Sequence, residues 1–314
     1  MHFKLVQQRS LPLEPQTEWL WYSNQSSSFI IGDERAAFAV PISNPSTFAA
    51  LPSAHATQES HPCNLPIPIS LYDEFIQDLW HGFKFLERSA YDHAIDSAGH
   101  LIGDLLRTLV FGPDYQHYLL HPPSGLILSL RSGKIELLQR TGETFKLLDQ
   151  TKTRGRAALA FAAHPTESTI AYGDNFGTFH AHKFDQTKFG KATKIAAKDR
   201  KASRLEFVNA GKTLVIGGMG YLASYSYIAG KFAPLHDSSI SVRDFTWLEG
   251  GNLILVNQGM HGISAFSYGP AGFTKLAEIK PGGAVQQIAV SKCQKYLAAS
   301  FQESPDLFIY SIQK

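Results

Sequence analysis

The side chains of this chain that could do chemistry are scattered and form no recognised catalytic motif. The 314 residues contain no Walker-type glycine loop, no G-x-S-x-G elbow, and no H-E-x-x-H or paired C-x-x-C spacing. This absence is only weak evidence against catalysis, because single residues on separate elements can also assemble a site. We assign no catalytic residue and no cofactor.

His180 and His182 are the best local candidates for a metal site. On a strand the two imidazoles would share a face, since alternate strand residues point the same way. Neither nearby acid, Asp174 or Asp185, has the spacing of a metal ligand. We therefore interpret both histidines as structural and assign no metal site.

Two His-Pro pairs, at 121–122 and 164–165, recur at an offset of 43 residues. A repeated turn needs the same backbone geometry each time, and proline beside a polar residue provides it. We predict structural roles for His121 and His164. Asp174, which follows a glycine, is predicted to form a turn.

Composition indicates an ordered globular protein, with 44% hydrophobic residues. The longest apolar runs, such as FIIG (29–32) and LILV (253–256), fall far short of the ~18 residues of a membrane helix. The N-terminal residues lack the continuous apolar region of a secretory signal, and Cys63 and Cys293 form no C-x-x-C motif. The sequence predicts a cytoplasmic protein with reduced cysteines and no membrane segment.

Apolar residues alternate with a period of two over 118–314, between turns rich in Gly, Asp, Asn and Pro. This pattern is typical of an all-β protein. Six stretches align as two strands around a tight turn: 27–40, 126–138, 169–182, 213–225, 253–266 and 296–309.

A further apolar strand ends just before each hairpin, beginning with WLWY (19–22). In the later five units its anchor residues are separated by 43, 44, 40 and 43 residues: Leu120, Ala163, Phe207, Trp247 and Val290. Two stretches are predicted to be fourth strands: FKLLD (145–149) and KFAPL (231–235). A period in the forties with four short strands per unit is the signature of a β-propeller blade.

The stretch HPPSGLILSLRSGKIELL (121–138) resembles the WD40 repeat, in which a small turn precedes the second strand and a glycine turn precedes the third. The resemblance extends to the other hairpins. None of the four tryptophans is followed by Asp, so the resemblance is to a divergent, WD40-like member. It implies an all-β propeller that holds protein partners on a rigid ring.

The spacing of the hairpins predicts seven blades. Four gaps between hairpins measure 31, 31, 28 and 30 residues, whereas the gap from 40 to 126 measures 86. One additional blade would need roughly 72 residues and two would need more than about 110. The second blade is either the hairpin at 100–111, with FKFLE (83–87) as the outer strand of the first blade, or a hairpin around 67–87.

The last unit ends at LFIYSIQK with its third strand and lacks a fourth. HFKLV (2–6) resembles the fourth strand FKLLD and would supply it. An open ring would leave unpaired strand edges, so the sequence predicts a seven-bladed β-propeller closed by pairing of the N-terminal strand with the C-terminal blade. Residues 1–314 then form a single domain.

A proline-rich insertion at 41–82 interrupts the repeats. Pro41 to Pro68 carries six prolines, which a central strand would not tolerate, and is predicted to be a surface loop. Residues 70–83 have helical spacing of apolar residues and predict a short helix, with a strand pair as the competing interpretation.

Charge is concentrated in residues 151–204, where eleven Lys and Arg stand against four Asp and Glu, a local net charge of +7 in a chain of +2. TKTRGR (151–156) and KDRKASR (198–204) occupy equivalent links between blades. In WD40-like rings such links gather on one face, so we predict one anion-binding patch formed by Arg154, Arg156, Arg200, Lys201, Arg204 and Arg243. Arginine forks suit carboxylate or phosphate groups.

The leading hypothesis is a non-catalytic interaction scaffold that binds an acidic or phosphorylated protein partner. Nucleic acid is disfavoured because the overall charge is near neutral and no aromatic residue interrupts the basic run 198–204. The alternative is a lactonase-like propeller hydrolase with a metal at the channel mouth. That site would need several acidic, Asn or His side chains, whereas the strand beginnings offer Arg156, Arg204, Arg243 and Gln286.

Overall fold

The structure, a computed structural model, describes residues 4–12, 19–23, 28–32, 37–41, 49–50 and most of 116–313. Within the last range it leaves out 122, 132, 142–143, 154–157, 175, 199, 249–251, 281–282, 292 and 303. The described residues form β-strands and one short 3₁₀ turn, Gly259–His261. None of their helical segments is long and apolar enough to cross a membrane.

The strands in chain order are β1 Lys4–Pro12, β2 Trp19–Ser23, β3 Ser28–Gly32, β4 Ala37–Pro41, β5 Ala49–Ala50, β6 Gln116–His121, β7 Leu126–Arg131, β8 Lys134–Thr141, β9 Thr144–Lys152, β10 Ala158–Ala163, β11 Thr169–Asp174, β12 Thr178–Lys183, β13 Thr193–Ala197, β14 Ala202–Val208, β15 Thr213–Gly218, β16 Tyr221–Ile228, β17 Lys231–Ser238, β18 Asp244–Leu248, β19 Leu253–Asn257, β20 Ile263–Gly269, β21 Gly272–Ile279, β22 Val285–Val290, β23 Tyr296–Phe301 and β24 Ser304–Gln313.

The described strands form six four-stranded antiparallel sheets. In chain order they are sheet I (β2–β5), sheet II (β6–β9), sheet III (β10–β13), sheet IV (β14–β17), sheet V (β18–β21) and sheet VI (β22–β24 with β1). In sheets I to V the strands follow one another as a meander, as the repeat predicted. The all-β prediction is confirmed, and the arrangement is consistent with a propeller.

Sheet VI is completed by the N-terminal strand, as the sequence predicted. β1 pairs antiparallel with β24 in a register that joins Leu5 to Ile312 and Leu11 to Leu307. The register shifts between Gln7 and Arg9, where the ladder is irregular. β1 therefore takes the outer position that chain order would leave empty, and both edges of β24 are paired.

Five apolar clusters join the described sheets in pairs. Sheets II and III share one, as do III and IV, IV and V, and V and VI. Sheet I joins sheet VI through Phe29 and Val40, which contact a cluster with Leu307 and Ile309. The core is thus a series of similar interfaces, which is why the sequence repeats at a fixed period.

The second strands β11, β15 and β19 are buried along their whole length. In β15, Leu214 and Ile216 face sheet III while Val215 faces sheet V, following the two-residue period of a strand. The outer strands β13 and β17 are mostly exposed or half-buried. The second strand is a continuous apolar run because it is buried between neighbouring sheets, whereas the outer strand is polar because it is exposed.

One strand assignment was wrong. The outer position of sheet I, which one of the two alternatives gave to residues 83–87, is taken by β5, in which Ala49 pairs with Ala39 and Ala50 with Phe38. The pairing extends over only two residues, and so short a strand shows no periodic pattern in the sequence. β5 lies within residues 41–68, so that segment is not a surface loop throughout, contrary to the prediction. Residues 67–87 and 100–111, the two alternatives for the hairpin of the second blade, lie outside the described residues, as does the predicted helix at 70–83.

Candidate protein-interaction face

One edge of the sheets gathers the turns between second and third strands together with the links that leave the outer strands. We call this edge the turn face. In sheet II the link residue Thr153 donates its backbone N–H to Gly133 O at 2.8 Å. Lys198 donates likewise to Gly177 O at 2.9 Å. Val242 donates to Gly218 O at 2.9 Å, so links and turns are joined in three consecutive sheets.

Arg200 lies in the link between sheets III and IV and is held by the turns of both. Gly177, at φ 76°, is so close that a Cβ there would stand 2.4 Å from Arg200 O. From sheet IV the Tyr221 hydroxyl donates to Arg200 O at 3.3 Å, and Arg200 Nη1 donates to Met219 O at 3.3 Å. The side chain is exposed on a backbone fixed from two sides.

Arg204 is buried, with 4% of its surface exposed. Its Nη2 donates to Glu206 Oε2 at 3.2 Å, and its Nε lies 3.9 Å from Asp244 Oδ1 in sheet V. The guanidinium also lies over the Phe245 ring, 5.8 Å from its centroid. Arg204 thus connects sheets IV and V through carboxylates of this chain.

Arg243 and Lys201 are half-buried. The Arg243 side chain lies on the backbone of Gly259, where a Cβ would stand 2.8 Å from Arg243 Cδ and Nε. Its backbone N–H donates to Asn257 O at 2.8 Å. Arg154 and Arg156 lie outside the described residues. Of the six predicted patch residues the structure describes four: Arg200, Lys201 and Arg243 lie on links, whereas Arg204, predicted for a link, lies inside β14, and Arg200 is the exposed one.

Two described carboxylates of the turn face are engaged within the chain. Asp174 is buried, and its Oδ1 accepts the backbone N–H groups of Phe176 at 2.9 Å and Thr178 at 2.8 Å. This confirms Asp174 as a turn former. Asp237 pairs with Lys198.

The sequence reasoning missed three exposed apolar residues on this face. Phe176 is 63% exposed, Met219 51% and Met260 75%, and each lies in the turn between the second and third strands of its sheet. A glycine at positive φ follows each within two residues, which is the one local signal that marks them.

The His180 and His182 side chains are buried and stack on Tyr172, with ring centroids 5.5 and 5.7 Å apart. His182 Nδ1 lies 2.7 Å from Gly190 O and donates to it. The structural interpretation is thereby supported. Within the described part of the chain no group of three His, Cys, Asp or Glu side chains could hold a metal ion.

The two His-Pro histidines join neighbouring sheets at the edge opposite the turn face. His121 Nε2 lies 3.0 Å from Glu167 O, and His164 Nε2 lies 3.2 Å from Gly211 O. The His164 Nδ1 atom accepts the backbone N–H of Glu167 at 2.9 Å, so Nε2 carries the proton. Burial lowers the pKa of both histidines, which favours the neutral rings that this pattern requires.

Tyr227 completes the contact around His164. Its hydroxyl donates to Glu167 Oε2 at 2.7 Å, and its ring centroid lies 4.8 Å from that of His164. Burial raises the pKa of Tyr227 to about 12, so the hydroxyl remains a donor at neutral pH. These contacts confirm a structural role for the histidine turns.

Comparison with known proteins supports the fold. A chain in the crystal structure of a mitotic checkpoint complex is similar to this one with a TM-score of 0.65, covering 98% of this chain and 95% of that chain at 13% identity. No family model and no curated protein matches the chain. The likeness, together with the six sheets, supports a WD40-like, β-rich fold that is consistent with a propeller.

Proposed function

We propose that this protein is a non-catalytic interaction scaffold whose turn face binds an acidic or phosphorylated segment of a protein partner. The fold would be a single seven-bladed propeller over residues 1–314, with a proline-rich insertion at 41–82 and the hairpin of the second blade either at 100–111 or around 67–87. A rigid ring suits this role because its turns are held in place before a partner arrives.

The observation that carries the proposal is the setting of Arg200. Its backbone is fixed by two sheets, the residue is exposed while its Nη1 donates to Met219 O, and the nearby carboxylates of Asp174 and Asp237 are engaged within the chain. An exposed arginine on a fixed backbone can pair with a carboxylate or phosphate without a large ordering cost.

The remaining patch residues have graded roles in this proposal. Lys201 and Arg243 flank Arg200 and would add to the field that attracts an anionic segment. Arg154 and Arg156 belong to the equivalent link after sheet II and would extend the patch. Arg204 would act indirectly, by fixing the start of β14 against sheet V, rather than by touching the partner.

The test is binding of an array of acidic peptides, each in phosphorylated and unphosphorylated form, to the full chain at two salt concentrations. The Arg200→Gln/Arg243→Gln variant should bind the retained peptides more weakly and with a flatter salt dependence, since charge attraction is screened by salt. The matched control is Lys212→Gln/Lys231→Gln, which removes two exposed cations at the opposite edge. Equal losses in both variants, or none in either, would refute the proposal.

A further inference from the structure

We propose that the turn face binds its acidic partner through an apolar row formed by Phe176, Met219 and Met260, so that the partner is an extended acidic segment with large apolar side chains at regular intervals. This inference rests on the proposed function and names the chemistry of the partner.

The three residues occupy the same place in three consecutive sheets. Phe176 lies between β11 and β12, Met219 between β15 and β16, and Met260 between β19 and β20. They account for half of the six exposed large hydrophobic residues in the described part of the chain. Their placement at equivalent turns gives one apolar row rather than scattered exposure.

The backbone that carries this row is held in place. The Asp174 carboxylate accepts the N–H of Phe176, and Asn257 Oδ1 accepts the N–H of Gly259 at 2.8 Å. Gln258 donates its backbone N–H to Gly262 O at 2.9 Å, closing the turn around Met260. Because the turns are already ordered, binding would cost little conformational entropy beyond that of the partner and the methionine rotamers.

Arginines lie between the apolar residues. Arg200 connects the turns of Phe176 and Met219: Gly177 abuts its backbone, and its Nη1 donates to Met219 O. The link residues 242–243 connect the next two turns, through Val242 N–H to Gly218 O and the Arg243 side chain on Gly259. The row is therefore ordered as Phe176, Arg200, Met219, Arg243 and Met260.

Such an alternation selects a particular partner chemistry. Large apolar anchors supply most of the affinity of an interface, and flanking charges supply specificity and association rate. A phosphate group alone would leave the anchors in water, and an acidic chain without apolar residues would do the same. A segment that carries both kinds of side chain satisfies the whole row.

The spacing of the sheets indicates the spacing of those side chains. Face-to-face sheets lie about 10 Å apart. An extended polyproline-type chain advances about 9 Å in one turn of three residues and returns to the same face. An apolar side chain at about every third position, with acidic residues between, would therefore meet successive turns.

The experiment measures binding of a labelled peptide of about four Leu-Glu-Pro repeats to the full chain by fluorescence anisotropy. Two further peptides replace either the leucines with glycine or the glutamates with lysine. The test variant is Phe176→Ser/Met219→Ser/Met260→Ser. Its matched control is Ile228→Ser, which removes an apolar residue that is 72% exposed at the opposite edge. Thermal unfolding of each variant checks that the exposed substitutions leave the fold intact.

The proposal predicts that only the Leu-Glu-Pro peptide binds well, that the triple variant binds it at least about tenfold more weakly, and that Ile228→Ser binds normally. If Arg200→Gln/Arg243→Gln weakens binding while the triple variant does not, the apolar row is refuted and the cationic face stands. If neither variant weakens binding, both proposals fall. Self-association of the wild-type chain that the triple variant abolishes would make the occupant a second copy and overturn this inference.

Discussion

Replacing Arg204 with methionine should destabilise the fold without abolishing partner binding. The substitution keeps the length and volume of the buried side chain but removes the cation shared by Glu206 and Asp244. Removing one partner of a buried ion pair costs about 3–5 kcal/mol. The two carboxylate side chains are 17% and 19% exposed and can regain water, so we expect a loss of about 2 kcal/mol.

A loss of that size should lower the melting temperature by about 4 °C, measured by circular dichroism or differential scanning fluorimetry. The double variant Arg204→Met/Glu206→Gln should recover part of the loss, because fewer unpaired charges then remain. The exposed Lys231→Met is the control and should melt like the wild-type chain within about 1 °C. An unchanged melting temperature for Arg204→Met, combined with lost peptide binding, would refute the assignment of Arg204 as an internal connector.

Three further predictions concern the closure of the sheets and their contacts at the edge opposite the turn face. Gly211→Ala should lower the melting temperature more than Gly125→Ala. Both glycines have positive φ, but only at Gly211 would a Cβ stand 2.1 Å from the His164 ring. Equal decreases in the melting temperatures of the two variants would contradict this contact. The free energy of unfolding should fall as the pH drops below 6.5, because burial lowers the pKa of His121 and His164 and the unfolded chain then binds more protons than the folded one. Denaturant titrations at several pH values measure this free energy. In the variant His121→Gln/His164→Gln, the free energy of unfolding should depend less steeply on pH. Deleting residues 4–12 should expose the edge of β24 and cause aggregation or loss of cooperative unfolding, whereas a variant that unfolds like the wild-type chain would show that β1 is dispensable.

The repeated hairpins could be predicted because local signals are strong there. β15 is a continuous apolar run, and β16 alternates apolar with small polar residues after the tight turn at Met219 and Gly220, so one short stretch indicates both strands and the turn. The pairing of β1 with β24 was also predictable, since the last unit lacked a fourth strand and the N-terminal residues matched one. β5 was missed because two residues carry no periodicity.

The candidate site was only partly predictable. The basic link at 198–204 was visible as composition, but the burial of Arg204 depends on Asp244 and Phe245 in the next sheet, which sequence spacing does not bring together. The exposure of Phe176 and Met260 likewise depends on how far their turns project beyond the sheets. Single apolar residues in glycine turns have no periodic pattern to distinguish an exposed position from a buried one.

Hydrogen–deuterium exchange of the full chain with and without the bound Leu-Glu-Pro peptide shows directly whether the turn face is the binding surface. We expect slower exchange at the turn face in the complex, over residues 176–178, 200–201, 219–221 and 259–262. Protection confined to the opposite edge, at 165–168, 209–212 and 229–230, would contradict this expectation.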